Sequence, residues 1–289
     1  MKWKRGYKSR NVLDRRGASP GAGGGRLPLS LAGGGVTGII VLLLFLFLGG
    51  SGFEMPEIGL PNAPGAGEGA VPPSGPDAEA DLVSFVSFVL DDAQATWTDV
   101  FQRSGKTYRP AQLILFRDAT DSGCGYATSQ VGPFYCGADE TIYLDLGFFR
   151  ELRSRFGAEG DFAQAYVVAH EVAHHVQKQL GVSAEVQRLA GEDPDQANEL
   201  SIAQELQADC FAGVWGQTTY DRQLLERGDL AEGLDAASAI GDDRIQEQTE
   251  GRINPETWTH GSSDQRRQWF ETGFNTGDAD ACDTFTVFT

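Results

Sequence analysis

Three of the four histidines in this 289-residue chain, His170, His174 and His175, fall within six residues. The stretch is VVAHEVAHHVQKQLG, Val167 to Gly181. Four residues turn an α-helix by about 400°, so His170 and His174 leave one face of it. Two imidazoles so placed can share one metal ion at about 2.0–2.1 Å each. Glu171 stands beside the first of them, where a carboxylate can take a proton from a metal-activated water. The pattern is H-E-x-x-H, with Glu171 as general base. His175 projects about 100° away from His174. It reads as packing, or as support for a ligand.

A catalytic zinc takes a third protein ligand and keeps a fourth position open. His260, the remaining histidine, is one candidate. The other is Glu205 in NELSIAQELQADCFAGVWG, Asn198 to Gly216. Glu205 and Asp209 are four apart and share a helix face, a spacing that also suits a solvated acidic face. Ile202, Leu206, Phe211, Val214 and Trp215 mark this helix as largely buried, and a buried acid pair without a cation is costly. That favours Glu205 on the metal, with Asp209 accepting a hydrogen bond from the far nitrogen of a ligand histidine.

These residues need elements to hold them. Asp161 as N-cap with Gln164 three residues on, and Gly181 as stop, predict a helix around the histidine cluster. Upstream, Asp81–Gln102 has apolar residues at helical spacing and Gly105 beyond it. AQLILF (Ala111–Phe116) and TIYLDL (Thr141–Leu146) read as strands, with a hairpin expected in GCGYATSQVGPFYCG between them. The expectation is an α+β domain with a small antiparallel sheet and a mainly helical C-terminal part.

The four cysteines form no CxxC, so a zinc ribbon or thioredoxin motif is excluded. An even count fits two disulfides outside the cytoplasm. Cys124 and Cys136 flank the hairpin, which leaves Cys210 for Cys282.

Charge divides the chain. The first fifty residues hold eight Lys or Arg against Asp14 alone, a net of +7, which leaves −25 for the rest of a chain whose total is −18. So acidic a body repels phosphate backbones, and nucleic acid is not an expected partner. Residues 1–28 read as a basic cytoplasmic head. Residues 29–53 carry no charge before Glu54, apart from their flanks, and centre on VTGIIVLLLFLFLGG. They are long enough for one transmembrane helix. A cleaved signal peptide is the alternative, without a clear cleavage site to support it. The basic flank predicts a single-pass protein of the cell membrane, N-terminus in the cytoplasm and body outside. Residues 54–80, rich in Gly, Pro and Ala, read as a flexible tether, and residues 81–289 as the folded domain.

HEVAHHVQ, ELQADCFAG, AIGDDRIQ and THGSSDQRRQWFETGF occur in this order. Together they resemble the neutral zinc metallopeptidase family of bacteria, as do MKWKRG at the start and the GPFYC and TIYLD segments. The resemblance covers the basic start and Asp81 to Phe285. It implies a gluzincin-type zincin-like domain with one zinc per chain, held by His170, His174 and Glu205, and a peptide or protein substrate. It also implies that His260 and Arg266, six apart, bind substrate and stabilise the tetrahedral intermediate. In such enzymes an extended substrate lies along a sheet edge, here Tyr135–Cys136 or Ile142–Leu144. Asp242, Asp243 and Arg244 read as a structural salt-bridge network. Two other functions fit the residues: a membrane-tethered zinc-binding interaction module, and a zinc amidase acting on cell-wall peptides or other non-protein amides.

Overall fold

The computed structural model describes residues 1–17 and 77–285. The expected membrane span at 29–53 and most of the expected tether lie outside the described residues. Among the described residues, no helix is long and apolar enough to cross a membrane.

Helix α1 (Ala80–Arg103) buries Phe85, Val86, Val89, Leu90, Ala93, Trp97 and Phe101, the helical stripe expected of its sequence. It ends at Ser104, just before Gly105. The strands are β1 (Val12–Asp14), β2 (Gln112–Phe116), β3 (Ala119–Ser122), β4 (Gly125–Thr128), β5 (Phe134–Cys136) and β6 (Thr141–Asp145). Four of them form a sheet in the order β1-β2-β6-β5, and β3 and β4 form a separate hairpin.

The sheet corrects the expectation of an antiparallel one. β1 pairs parallel with β2 and β2 parallel with β6; only β5 runs antiparallel, against β6. The chain from β2 to β6 passes through the hairpin and β5, which is long enough to cross over and return in the same direction. The central strands are covered on both sides. Leu113, Leu115, Ile142 and Leu144 face the helical core, while Ile114, Phe116 and Tyr143 join Ala127, Val131 and Phe134 on the hairpin side. Continuous apolar runs in QLILF and TIYLD follow from this double burial.

The single hairpin expected around Cys124 and Cys136 is divided. β4 pairs with β3 and β5 with β6. The Cys124–Cys136 disulfide therefore staples the hairpin to the sheet, and the Cys210–Cys282 disulfide also forms. Because β6 lies inside the sheet, β5 is, among the described residues, the edge strand beside the helices.

The helical part holds α2 (Phe148–Ser154), α3 (Asp161–Leu180), α4 (Val182–Glu192), α5 (Ala197–Asp221), α6 (Asp229–Ala239), α7 (Asp242–Glu250) and α8 (Ser263–Thr276). α3 is the histidine helix. Gly181, at φ 86°, ends it as expected. The predicted capping box does not form. Gly160 is the cap, and the Asp161 carboxylate instead meets the Met1 amino group at 2.5 Å.

α5 and α8 approach at two glycines. A Cβ on Gly273 would stand 1.9 Å from the Cys210 carbonyl oxygen, and one on Gly213 2.1 Å from that of Phe270. Only glycine permits this closeness, which sets Arg266 of α8 against Asp209 of α5. Residues 1–17 also pack on this body, so the described part of the basic head is joined to the domain through β1.

Candidate metal centre

His170 and His174 on α3 and Glu205 on α5 are all buried, and they meet. The two Nε2 atoms are 3.2 Å apart. Glu205 lies 3.2 Å from His170 Nε2 through Oε2 and 3.3 Å from His174 Nε2 through Oε1. Metal bonds of about 2.0–2.1 Å in a tetrahedron put the ligand atoms roughly 3.3 Å apart. The triangle has the size of one face of a zinc site.

The neighbours fix the tautomer of each ring. His170 Nδ1 is 2.9 Å from Asp209 Oδ1, so it must carry a hydrogen and donate. Gln177 donates through Nε2 to the Gln204 carbonyl at 2.7 Å, which turns its Oε1 to His174 Nδ1 at 2.9 Å. Both Nε2 atoms thus present lone pairs, and a carboxylate completes the set. Three acceptors at these distances repel one another unless a cation joins them. Without a metal ion, burial works against a charge on His170, yet Asp209 and Glu205 outweigh it and raise its pKa to about 9, so that a proton takes the place of the cation. Burial likewise opposes ionisation of Glu205, but His174 and His170 hold its carboxyl well below the usual range. The site is built for a positive charge, and its donor set suits zinc.

Asp209 is the hub behind the ligands. It is fully buried and accepts from His170, from the Tyr166 hydroxyl, and from Arg266 Nε at 2.8 Å and Nη2 at 3.0 Å. Such contacts orient a ligand and tune the metal. Arg266 is only 1% exposed; besides Asp209, its guanidinium reaches the Ile240 carbonyl at 3.2 Å and the Tyr166 hydroxyl at 3.3 Å, and lies 3.8 Å from Glu205 Oε2. Arg266 also lines the cavity shared by Glu171, Glu205 and His260.

His260 does face the same cavity as Glu171 and the three ligands. Its Nδ1 is 3.0 Å from Asp242 Oδ1, and its backbone N–H donates to Asp242 Oδ2 at 2.6 Å. Burial disfavours its charge, but Asp242 outweighs that and raises its pKa above the ordinary histidine value. The groups of this site that come within reach of one metal ion are His170, His174 and Glu205, and His260 is not among them. Asp242 serves it, and Asp243 accepts from the backbone and hydroxyl of Ser263 at 2.8 and 2.7 Å. Among the described residues, no ion pair joins Arg244 to Asp242 or Asp243; Asp242 pairs with His260 instead.

Glu171 is buried at the same cavity, and burial pushes its carboxyl up. The cavity measures about 400 Å³. One wall is β5 with Gly132 and Pro133, and the apolar lining includes Val131, Phe148, Phe156 and Val167.

The family model described as "Putative neutral zinc metallopeptidase" matches residues 1–285. The chain belongs to this family. Uncharacterized protein YpfJ of Escherichia coli (strain K12) is 44% identical over 293 residues, covering 99% of each chain. Uncharacterized protein Rv2575 of Mycobacterium tuberculosis (strain ATCC 25618 / H37Rv) is 47% identical over 192 residues, covering 62% of this chain and 64% of that one. No solved structure matches the chain.

In this member of the zinc metallopeptidase family, sequence reasoning missed Tyr166, Gln177 and the pairing of Asp242 with His260. Tyr166 and Gln177 had a signal. They lie four residues before His170 and three after His174, on the ligand face of α3. His175, left without a firm role by its spacing, is fully buried and ties the helix to β5. Its Nε2 donates to the Arg109 carbonyl at 2.6 Å, so its Nδ1 accepts from the Tyr135 hydroxyl at 2.9 Å. Burial lowers its pKa, in keeping with a neutral ring.

Proposed function

We propose that this chain is a peptidase with one zinc per chain, held by His170, His174 and Glu205, that hydrolyses peptide bonds in the cleft between β5 and α3. The observation that carries the proposal is the convergence of three lone-pair donors on one cavity that also holds Glu171 and His260. Zinc, when bound, lowers the pKa of water and acts as a Lewis acid toward a carbonyl.

The chain's own groups supply the rest. Glu171 receives the proton of the attacking water on its carboxylate and returns it to the departing amine. A carboxyl raised by burial is a better base for that task than an exposed one. His260, charged by its contact with Asp242, donates from Nε2 to the carbonyl oxygen as negative charge grows there. The free backbone groups of β5 hold an extended peptide by strand addition. The apolar wall from Val131 to Val167 receives a side chain of that peptide. Asp209, with Arg266 and Tyr166 behind it, keeps His170 in place.

Two variants test this on the full chain. Glu205→Ala is expected to lose most of the single zinc of the wild type while staying folded. Glu171→Gln is expected to keep zinc and to lose peptide hydrolysis by about 10²-fold or more. Full zinc retention by folded Glu205→Ala rejects the ligand set. Full activity of Glu171→Gln rejects the proposed base.

A further inference from the structure

The two chain segments that border residues 18–76 meet. Arg16 Nη2 is 2.6 Å from Asp77 and 2.7 Å from Asp14, and its Nη1 is 2.8 Å from Glu79. Its side chain is only 9% exposed. Glu79 in turn takes Arg117 at 2.7 Å and Arg150 at 3.3 Å, both from the body.

The residues before Arg16 are fixed as firmly. Val12, Leu13 and Asp14 pair in parallel register with Leu113, Ile114 and Leu115. Backbone bonds of 2.7 Å flank the pairing, Leu113 to Asn11 and Arg15 to Leu115. Asp91 of α1 accepts from Tyr7, Ser9 and Asn11 at 3.1, 2.7 and 3.1 Å. Trp3 packs edge-on against Phe85, and Tyr7 against Phe88. β1 also covers the edge of β2, which would otherwise expose a row of unpaired backbone groups.

We infer that residues 1–17 are an integral part of the metal-binding domain and lie on the same side of any membrane as its cleft. The hydrocarbon layer is about 30 Å thick. A chain that leaves at Arg16 and returns at Asp77, within hydrogen-bond distance, crosses it an even number of times or not at all. A single crossing by residues 29–53, with the head in the cytoplasm and the body outside, cannot coexist with these contacts. The charge argument for that orientation weakens too, because Arg16 is neutralised by three carboxylates of its own domain. This inference is independent of zinc and of hydrolysis.

The test places single cysteines in the full chain, Lys4→Cys in the head and Ala184→Cys near the cleft. Both positions are exposed. The four native cysteines are in disulfides and leave no free thiol. Intact cells, spheroplasts and detergent lysates are treated with a membrane-impermeant maleimide. The expected result is one common pattern, with both thiols reached, or both shielded, in each preparation. Labelling of one in intact spheroplasts while the other waits for detergent would overturn the inference. A charge exchange gives a second reading of the contact. Arg16→Asp alone is expected to lower the melting temperature, and Arg16→Asp with Asp77→Arg to recover part of the loss. Unchanged melting of Arg16→Asp, or no recovery in the pair, counts against it.

Discussion

Arg266 grips Asp209 through both carboxylate oxygens, 2.8 Å to Oδ2 and 3.0 Å to Oδ1, and both residues are buried. Removing the arginine leaves a buried carboxylate without its cation. Arg266→Ala is expected to destabilise the fold by about 3–5 kcal/mol. Arg266→Lys keeps the charge but not the planar fork. It is expected to stay folded and to weaken zinc binding about 10–100-fold, the range typical of groups that orient a ligand. Urea unfolding and competitive metal titration measure these two effects. Wild-type zinc affinity in the folded lysine variant would remove Arg266 from the support of His170.

His260 and Asp242 predict a pH dependence whose sign is fixed. The His260 pKa is raised and the Asp242 pKa is lowered, each by the other against the cost of burial. On the histidine side, the pair's stabilisation is fully present below the unfolded pKa of about 6.5. It is lost as pH rises through the folded value. On the aspartate side it is present above about 3.9 and lost as pH falls through the folded value. A protonated His260 acting on the carbonyl oxygen gives kcat/KM a basic limb at its raised pKa. Asp242→Asn removes that support, so the limb is expected to move to lower pH. A wild-type profile in a folded Asp242→Asn enzyme would show that the charge of His260 plays no part.

Much of the site was legible because helical spacing is strict. His170, Glu171 and His174 sit where four-residue periodicity puts them, and Asp209 falls one turn after Glu205. The sheet was less legible. QLILF and TIYLD announce buried strands, but an apolar run carries no sign of strand direction or order. His260 and Asp242 are eighteen residues apart on separate segments, and no period links them. Arg266 was found by its spacing from His260, but its bond to Asp209 was not foreseen. That bond is set by the approach of α5 and α8, which depends on Gly213 and Gly273. The place of residues 1–17 was hidden because basic charge and a following apolar run suggest a membrane flank, while a three-residue edge strand gives almost no periodic signal.

Those glycines make a prediction of their own. A methyl group on Gly273 would stand 1.9 Å from a backbone carbonyl oxygen, which cannot turn aside as a side chain can. Gly273→Ala is therefore expected to force α8 from α5 and to cost about 1–3 kcal/mol or more, as overpacking does. The same shift draws Arg266 from Asp209, so zinc affinity is expected to fall with stability. Thermal melts with and without added zinc check both. A variant as stable as the wild type would mean that the helices do not pack this closely.

His175 and Tyr135 predict an effect on substrate rather than on metal. The 2.9 Å bond between them joins the buried side of α3 to β5, the strand proposed to hold the peptide. Tyr135→Phe removes the hydroxyl and keeps the ring that packs against His175. His175 stays fixed by its bond to the Arg109 carbonyl, so the ligands, on a different face of α3, are expected to stay in place. A neutral hydrogen bond contributes about 0.5–1.5 kcal/mol, which corresponds to a rise in KM of roughly 2- to 10-fold. Zinc content is expected to be unchanged and kcat to change less than KM. Loss of zinc, or a fall in kcat at constant KM, would mean that this bond supports the metal ligands instead of the strand.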